Sequence, residues 1–590
     1  MNRRSVIKKG LAAGTLSILG TPGFSAGREP NQLKEQPGYY IEKGQLQFWL
    51  ETSMRRVYPN TLPGGKEQLT LIAARNEQVS FQACFRNLST DSAEVKCELT
   101  DSTGFTTRIR RVGFVPMRQL NTYTPKNEME GIGSIPGLCP DPLFDENSVH
   151  IGPESNGVFW ITVSIPSDMS PGVHTLQVSM TLLNRYGYVG LTNPEQVSVA
   201  LPVKIDVRRL VVAPRKNFPV TNWVSADSIW EYYKIEPCSE RFWELADKFI
   251  FNLVAHHNDV LYTPIFNTRH ELLKRPAQLL KVKKLGEDRY EFDFSDVGKW
   301  VHLALKHGAR YIEWSHFFTP APTSGKYPQR IYERTGAAVG PMLWPPEISA
   351  TSDTYKNFLK QFIPAFKTFL EQEKILDRSF FHCADEPDGP EQVADYKNAR
   401  ALLMEIAPWM RVMDALSDTR YAKEKITDMP IPSITSALEF KAAGVQSWVY
   451  FCCGPRDSYM QRLFDTPLAK IRMAGSVFYR LEAHGFLHWG YNYWYKFVTS
   501  EITDPFNHGD VMAWPGLPYG DPFVVYPGPD GPLDSIRWEV FAEGLQDYAL
   551  LQSAGIKSTD PLLADIKSYA DFPKKEEWHA NLRRMILERY

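Results

Sequence analysis

No Cys-x-x-Cys spacing occurs in the 590 residues, and the seven cysteines, Cys84, Cys97, Cys139, Cys238, Cys383, Cys452 and Cys453, are scattered and odd in number. That spacing argues against a thiolate zinc site. Cys84 and Cys97 have two readings, a bridge between strands or free buried thiols. Charge of one sign is also missing: 66 Lys and Arg against 68 Asp and Glu leave a net −2. Nothing electrostatic therefore favours nucleic acid or an anionic membrane as partner. There is no Gly-rich phosphate loop and no Gly-x-Ser-x-Gly elbow. Long hydrophobic runs are absent as well. The run at 11–19 is too short to span a bilayer. What remains is ordinary for globular domains, with 43% hydrophobic and 23% charged residues in a chain long enough for two or three of them.

The first 27 residues read as an export signal. Asn2-Arg3-Arg4-Ser5-Val6-Ile7-Lys8 looks like the bacterial twin-arginine pattern, and Ser25-Ala26-Gly27 supplies a small-residue cleavage site. No cysteine lies near that site, which argues against a lipid anchor. The expected location of the mature protein is periplasmic or secreted.

Residues 36–210 carry β signals. Runs at 69–73, 78–85, 158–165 and 174–183 are rich in Val, Ile, Thr and aromatics, with turn clusters between them. They predict a β-sandwich. The segment 121–144, with Pro140-Asp141-Pro142-Leu143, is long enough to reach a neighbouring cleft. After Pro214 strands and helices alternate. Strands are predicted at 218–224, 260–265, 311–317, 379–384, 411–415, 431–435, 447–452 and 486–493. Helices are predicted at 239–253, 296–307, 354–372, 391–406, 467–483 and 535–551. Eight such units over 215–552 predict a TIM-type (β/α)8 barrel, with a seven-stranded or distorted barrel as the alternative because the sixth unit is weak. Residues 553–590 read as a helical tail on the barrel exterior.

The chain is organised around Phe380-Phe381-His382-Cys383-Ala384-Asp385-Glu386-Pro387. An apolar strand runs straight into two carboxylates, and Pro387 disfavours helix at Glu386. In a parallel α/β domain this edge is where catalytic groups collect; the alternative is a solvated strand-end turn. The other predicted strand ends carry Trp223, Thr263, Trp314, His316, Asp414, Trp448, Tyr450, Trp489, Tyr491, Asn492 and Trp494. Of these, Trp223, Trp314, Trp448, Trp489, Tyr491, Asn492 and Trp494 are the candidate substrate contacts. An acidic pair in a ring of aromatics is what glycosidic cleavage needs, although large barrels also bury aromatics as core. Close carboxylates cannot both ionise freely, so one is available as an acid. Adjacent strand residues point to different sides, so Asp385 and Glu386 do not suit an ordinary nucleophile and acid flanking a sugar. They suit substrate assistance, in which a 2-acetamido oxygen attacks the anomeric carbon. Asp385 then holds the amide and Glu386 acts as acid and then base.

Further motifs extend the pattern. They are Ala74-Arg75-Asn76-Glu77 with Phe81-Gln82, the Pro140–Leu143 motif already quoted, and Asp385-Glu386-Pro387. Downstream lie Leu487-His488-Trp489-Gly490-Tyr491-Asn492-Tyr493-Trp494, Tyr526-Pro527-Gly528, and Ser535-Ile536-Arg537-Trp538-Glu539 with Gly544 and Asp547-Tyr548. In this order they resemble glycoside hydrolase family 123, the β-N-acetylgalactosaminidases, and its related uncharacterised domain family. The resemblance implies a sandwich and a TIM-type barrel, retention of configuration, a glycan bearing β-linked N-acetylgalactosamine as partner, and the roles just given for Asp385 and Glu386. Gly520-Asp521-Pro522-Phe523 departs from the family's usual Gly-Asp-Gly. Two alternatives are a glycosidase of the same fold with another sugar specificity and a non-catalytic carbohydrate-binding protein. Arg537, Glu539 and Glu543 share a helix face and read first as structural ion pairs. His256-His257-Asn258-Asp259 has the composition of a metal cluster but precedes a strand, at the end opposite the acids. His382 and Asp385 lack further ligands. No metal or cofactor is expected.

Overall fold

The computed structural model describes residues 45–100, 104–183, 197–266, 277–318, 330–336, 339–345, 348–349, 352–387 and 389–590. The expected export signal, 1–27, lies outside the described residues.

Residues 46–211 form two five-stranded sheets. One runs in the order Leu46–Thr52, Glu77–Asn87, Asn156–Ile165, Thr106–Met117, Gly137–Phe144, antiparallel throughout. The other runs Leu69–Arg75, Ser198–Val211, Gly172–Leu182, Ala93–Thr100, Ser148–Ile151, with only its first pair parallel. Alternate residues of both sheets, among them Phe81, Val95, Phe159, Ile161, Val178 and Val203, share one core. Cys97 lies in that core, whereas Cys84 points from the opposite face of its strand into a second core shared with the α/β region. The two thiols are free, as are the other five, and the bridge does not form.

Eight strands form in the α/β region, Val220–Asn222, Val260–Thr263, Tyr311–Trp314, Ser379–Phe380, Met413–Ala415, Met429–Ile431, Val449–Tyr450 and Phe486–His488. Seven are shortened forms of those predicted, and the sixth is displaced towards the N-terminus and shares only Ile431 with the predicted 431–435. Six make one parallel sheet in the order fourth, third, second, first, eighth, seventh. The fifth and sixth pair in parallel with each other. Isolated parallel bridges, Phe381 to Val412 and Ser433 to Tyr450, join that pair to the fourth and seventh strands. The helices follow the predicted faces. Glu240–Ala255 starts where Ser239 accepts the Phe242 N–H, and Ser295–His307 stops at Gly308, whose φ of 96° is left-handed. Ser295, read from the sequence as the N-cap of the helix predicted over 296–307, is instead the first residue of that helix, and its hydroxyl accepts from Lys281 Nζ. The helix predicted over 467–483 is two, Leu468–Arg472 and Ala474–Leu481. A four-stranded antiparallel sheet (Lys281–Lys284, Tyr290–Asp293, Tyr332–Arg334, Val339–Met342) went unread in the sequence. Its strands have at most four residues, too few to establish a period.

Most of the recognisable motifs lie where the two regions meet. Helix Ile536–Ser553 is buried from Ile536 to Leu551, and its charged side chains face the sandwich. Arg537 pairs with Asp141 at 2.9 Å, Glu539 accepts from Arg110 at 2.7 Å, and Glu543 accepts from Arg472 and Ser53 at 2.6 and 2.9 Å. The structural reading of these charges holds. Gly544 is required by close packing, since a Cβ there would stand 2.6 Å from the Arg472 carbonyl oxygen. The tail helix, Glu576–Leu587, lies against the sandwich strand Leu69–Arg75 instead of on the barrel exterior alone; its Arg583 joins Glu77 to Asp547. The segment 121–144 docks through Asn121 on Asp465 and Glu128 on Lys470. Removing one partner of a fully buried pair leaves the other charge unmatched, at a cost of about 3–5 kcal/mol. Asp141→Ala is therefore expected to lower the thermal midpoint strongly, and Asp141→Leu with Arg537→Met to lower it less. Equal midpoints for Asp141→Ala and the unmodified protein would show that the pair contributes nothing.

Candidate active site

The strand ends gather a graded set of acids. Glu313 and Asp414 are fully buried, the Asp385 side chain is 31% exposed, and Glu386 is exposed. Asp385 lies 3.9 Å from His316 Nε2, beyond the third strand. Glu386 accepts a hydrogen bond from the Tyr450 hydroxyl on the seventh strand. Its φ of 36° is left-handed, a conformation that costs a non-glycine residue energy and that clusters at functional positions. Glu386 is not helical, and the acids sit in the loop that follows the fourth strand. Burial, and then the charge of Glu386, push the Tyr450 hydroxyl far above its usual range, so it remains a donor.

Beneath these acids sits a buried relay. Glu313 accepts from Thr221 Oγ1 at 2.5 Å, Trp223 Nε1 at 2.7 Å and His382 Nε2 at 2.7 Å. His382 Nδ1 lies 3.2 Å from Asp414, which also accepts from the Cys383 N–H and the Tyr396 hydroxyl. Burial opposes a charge on His382, but hydrogen bonds and charge from Asp414 and Glu313 outweigh it and hold the imidazole up at about 10. The His382 ring lies 4.4 Å from that of His316, and Trp223 meets both edge-on.

The seven candidate contacts divide between an inner core and outward positions. Trp223 and Trp448 belong to a small inner core with Val260, Tyr262, Phe380, Met413, Ile431 and Leu487. Trp448 packs edge-on to Phe380, two residues before His382, and so forms floor rather than wall. Trp489 is half-buried against that core and donates its indole N–H to Asp521 at 2.9 Å. The other four are corrected. Trp314 points outward, fully buried against Phe366, and bonds Ser379. Trp494 packs on Phe249 and bonds the Val525 carbonyl. The Tyr491 hydroxyl donates to the Phe249 carbonyl and Asn252, and Asn492 pairs with the backbone of Ser225. All four are enclosed and offer no face to a sugar. The missed residue is Glu313. Its signal was a lone carboxylate inside Tyr311-Ile312-Glu313-Trp314, where the period-two alternation turns it to the side opposite Trp314.

Two groups among the described residues bring three donor atoms within 4.8 Å of one another: His316, His382 and Asp414, and His256, Asp534 and Glu539. In the first, both His382 ring nitrogens already lie within hydrogen-bond distance of Glu313 and Asp414; in the second, Arg110 already bonds Asp534 and Glu539. This resolves the His256 motif as part of the interface.

Acids at the ends of parallel strands, above an aromatic floor, are an arrangement that glycoside hydrolysis can use. Residues 223–554 match the glycoside hydrolase 123 catalytic domain, more than half of the chain, and the chain belongs to glycoside hydrolase family 123. Its fold is similar to that of a family 123 glycoside hydrolase from Clostridium perfringens, solved in a study of glycolipid glycan hydrolysis, with TM-score 0.67 and 15% identity over 92% of this chain and 97% of that one. A Bacteroides uniformis β-glucuronidase 2 aligns over 83% of this chain and 50% of its own with 10% identity and TM-score 0.28, too low to carry an argument. No curated protein matches.

Proposed function

We propose that this enzyme is a retaining glycosidase that cleaves β-linked N-acetylgalactosaminides by substrate assistance, with Glu386 as acid and then base and Asp385 holding the acetamido group. One observation carries the reading. Among the described residues, Glu313, Asp414 and Asp521 are buried and hydrogen-bonded, and Asp418, beyond the fifth strand, is paired with Arg420, so none of these four is free to attack an anomeric carbon. Asp385 and Glu386 are accessible sequence neighbours reaching to different strands, Asp385 towards the third and Glu386 towards the seventh. A couple so arranged leaves the nucleophile to the substrate.

The proposal includes a closed (β/α)8 barrel. It is supported by the two isolated bridges linking the fifth and sixth strands to the main sheet, and by an inner core to which five of the eight strands contribute buried side chains, with Trp223 and Trp448 added from residues adjoining the first and seventh. Export through the twin-arginine-like start, with cleavage near Ser25-Ala26-Gly27, completes it. A glycolipid glycan, as studied for the Clostridium perfringens relative, is a natural substrate class to try.

The test is a panel of aryl β-glycosides with and without the 2-acetamido group, together with mass spectrometry of enzyme quenched with a 2-fluoro glycoside. Turnover confined to the 2-acetamido galactosides, with no covalent adduct, is expected. A stable glycosyl ester on Asp385 or any other carboxylate would return the enzyme to the ordinary two-carboxylate class, and equal turnover of substrates lacking the acetamido group would remove the assisted mechanism.

A further inference from the structure

We propose that Glu313, His382 and Asp414 are positioning residues: a buried imidazolium clamped between two carboxylates holds Trp223 and the backbone leading to Asp385 in the geometry that hydrolysis needs. The inference rests on Asp385 and Glu386 being the reacting acids.

The geometry suits a doubly protonated ring. Carboxylate oxygens stand 2.7 Å from Nε2 and 3.2 Å from Nδ1, and both carboxylates accept from other donors as well, so each ring nitrogen faces an acceptor. Each carboxylate then fixes something beyond His382. Glu313 holds the Trp223 indole N–H, which sets the plane of the inner-core ring lying edge-on to His316 and His382. Asp414 takes the Cys383 N–H with both oxygens, at 3.0 and 3.1 Å, two residues before Asp385. One cation thus ties the first, third, fourth and fifth strands together. A polar cluster this enclosed is costly unless fully satisfied, and an apolar core would serve stability as well. Its location directly under the acids accounts for its presence.

The groups facing His382 are Glu313, Asp414, Tyr396, Cys383 and the His316 ring. Burial pushes Tyr396 and Cys383 well above their usual ranges, so neither changes charge between pH 6 and 9. On the unmodified enzyme, nitrogen NMR of labelled histidine, with His382 assigned by its loss in His382→Gln, is expected to show both ring nitrogens protonated across that interval. A neutral His382 ring at pH 7 overturns the proposal. In kinetics with an aryl 2-acetamido glycoside, Glu313→Gln is expected to lower kcat by about 10²-fold with little change in KM, since small misplacements at a reacting centre cost that much. Loss of one anionic neighbour also makes the ring deprotonate more easily, so the alkaline limb of kcat moves to lower pH in Glu313→Gln. Glu313→Asp, which keeps the charge, is expected to recover part of kcat. Activity lost only in proportion to folded protein, with the pH profile unmoved, would make the cluster structural and end the proposal. Full activity in both Asp385→Asn and Glu386→Gln would instead remove the reading of the acids, and the NMR result would still stand or fall on its own.

Discussion

Asp385→Asn is expected to slow hydrolysis of 2-acetamido glycosides by about 10²–10³-fold, the loss typical when one pre-placed electrostatic stabiliser is removed. In the proposed reaction positive charge develops on the cyclising acetamido group, and an anionic oxygen at Asp385 stabilises it most in the transition state. The loss should therefore appear in kcat as well as kcat/KM. Asparagine keeps the size of the side chain, and Asp385 is partly exposed rather than buried in the core, so the fold should survive. A thiazoline mimic of the cyclised intermediate is expected to inhibit the unmodified enzyme strongly and Asp385→Asn weakly. Equal inhibition of both would show that Asp385 does not meet the acetamido group.

Glu386→Gln should divide substrates by leaving group. General acid catalysis contributes about 10²–10⁴-fold, and an activated aryl group needs little of it. Glycan substrates should therefore lose most of their turnover while nitrophenyl glycosides keep more. Two features sharpen the expectation: Glu386 is exposed at the strand end, and the Tyr450 hydroxyl bonded to it stays a donor. Small and equal losses on both substrate types would take the acid role from Glu386.

Both acids were legible because the signal is local. An apolar run breaking into Asp385-Glu386-Pro387 marks a strand end whatever surrounds it, and the alternation of strands and helices after Pro214 placed that end in a parallel domain. The aromatic contacts were only partly legible. Trp223, Trp448 and Trp489 lie in or against the inner core, whereas Trp314, Tyr491, Asn492 and Trp494 turn outward. Beyond the eighth strand, which ends at His488, the chain leaves the extended backbone on which a period-two count depends. Trp314 was a matter of phase: alternation told that Glu313 and Trp314 part company, but not which of them faced the cleft.

What the sequence by itself determined is most of the elements and the position of the two proposed acids, because helical faces, caps and strand ends are written in neighbouring residues. What only the tertiary structure decided is the company those acids keep. Glu313 stands 69 residues from His382 and 90 from Trp223 along the chain, yet both bond it within 2.7 Å. Arg537 and Asp141 are 396 residues apart and share one buried contact. Such pairings follow from which strands lie side by side and in what register. A one-residue change in register exchanges the inner and outer faces of a strand, so only long-range packing could assign a carboxylate in a short apolar strand to the site rather than to the shell around it.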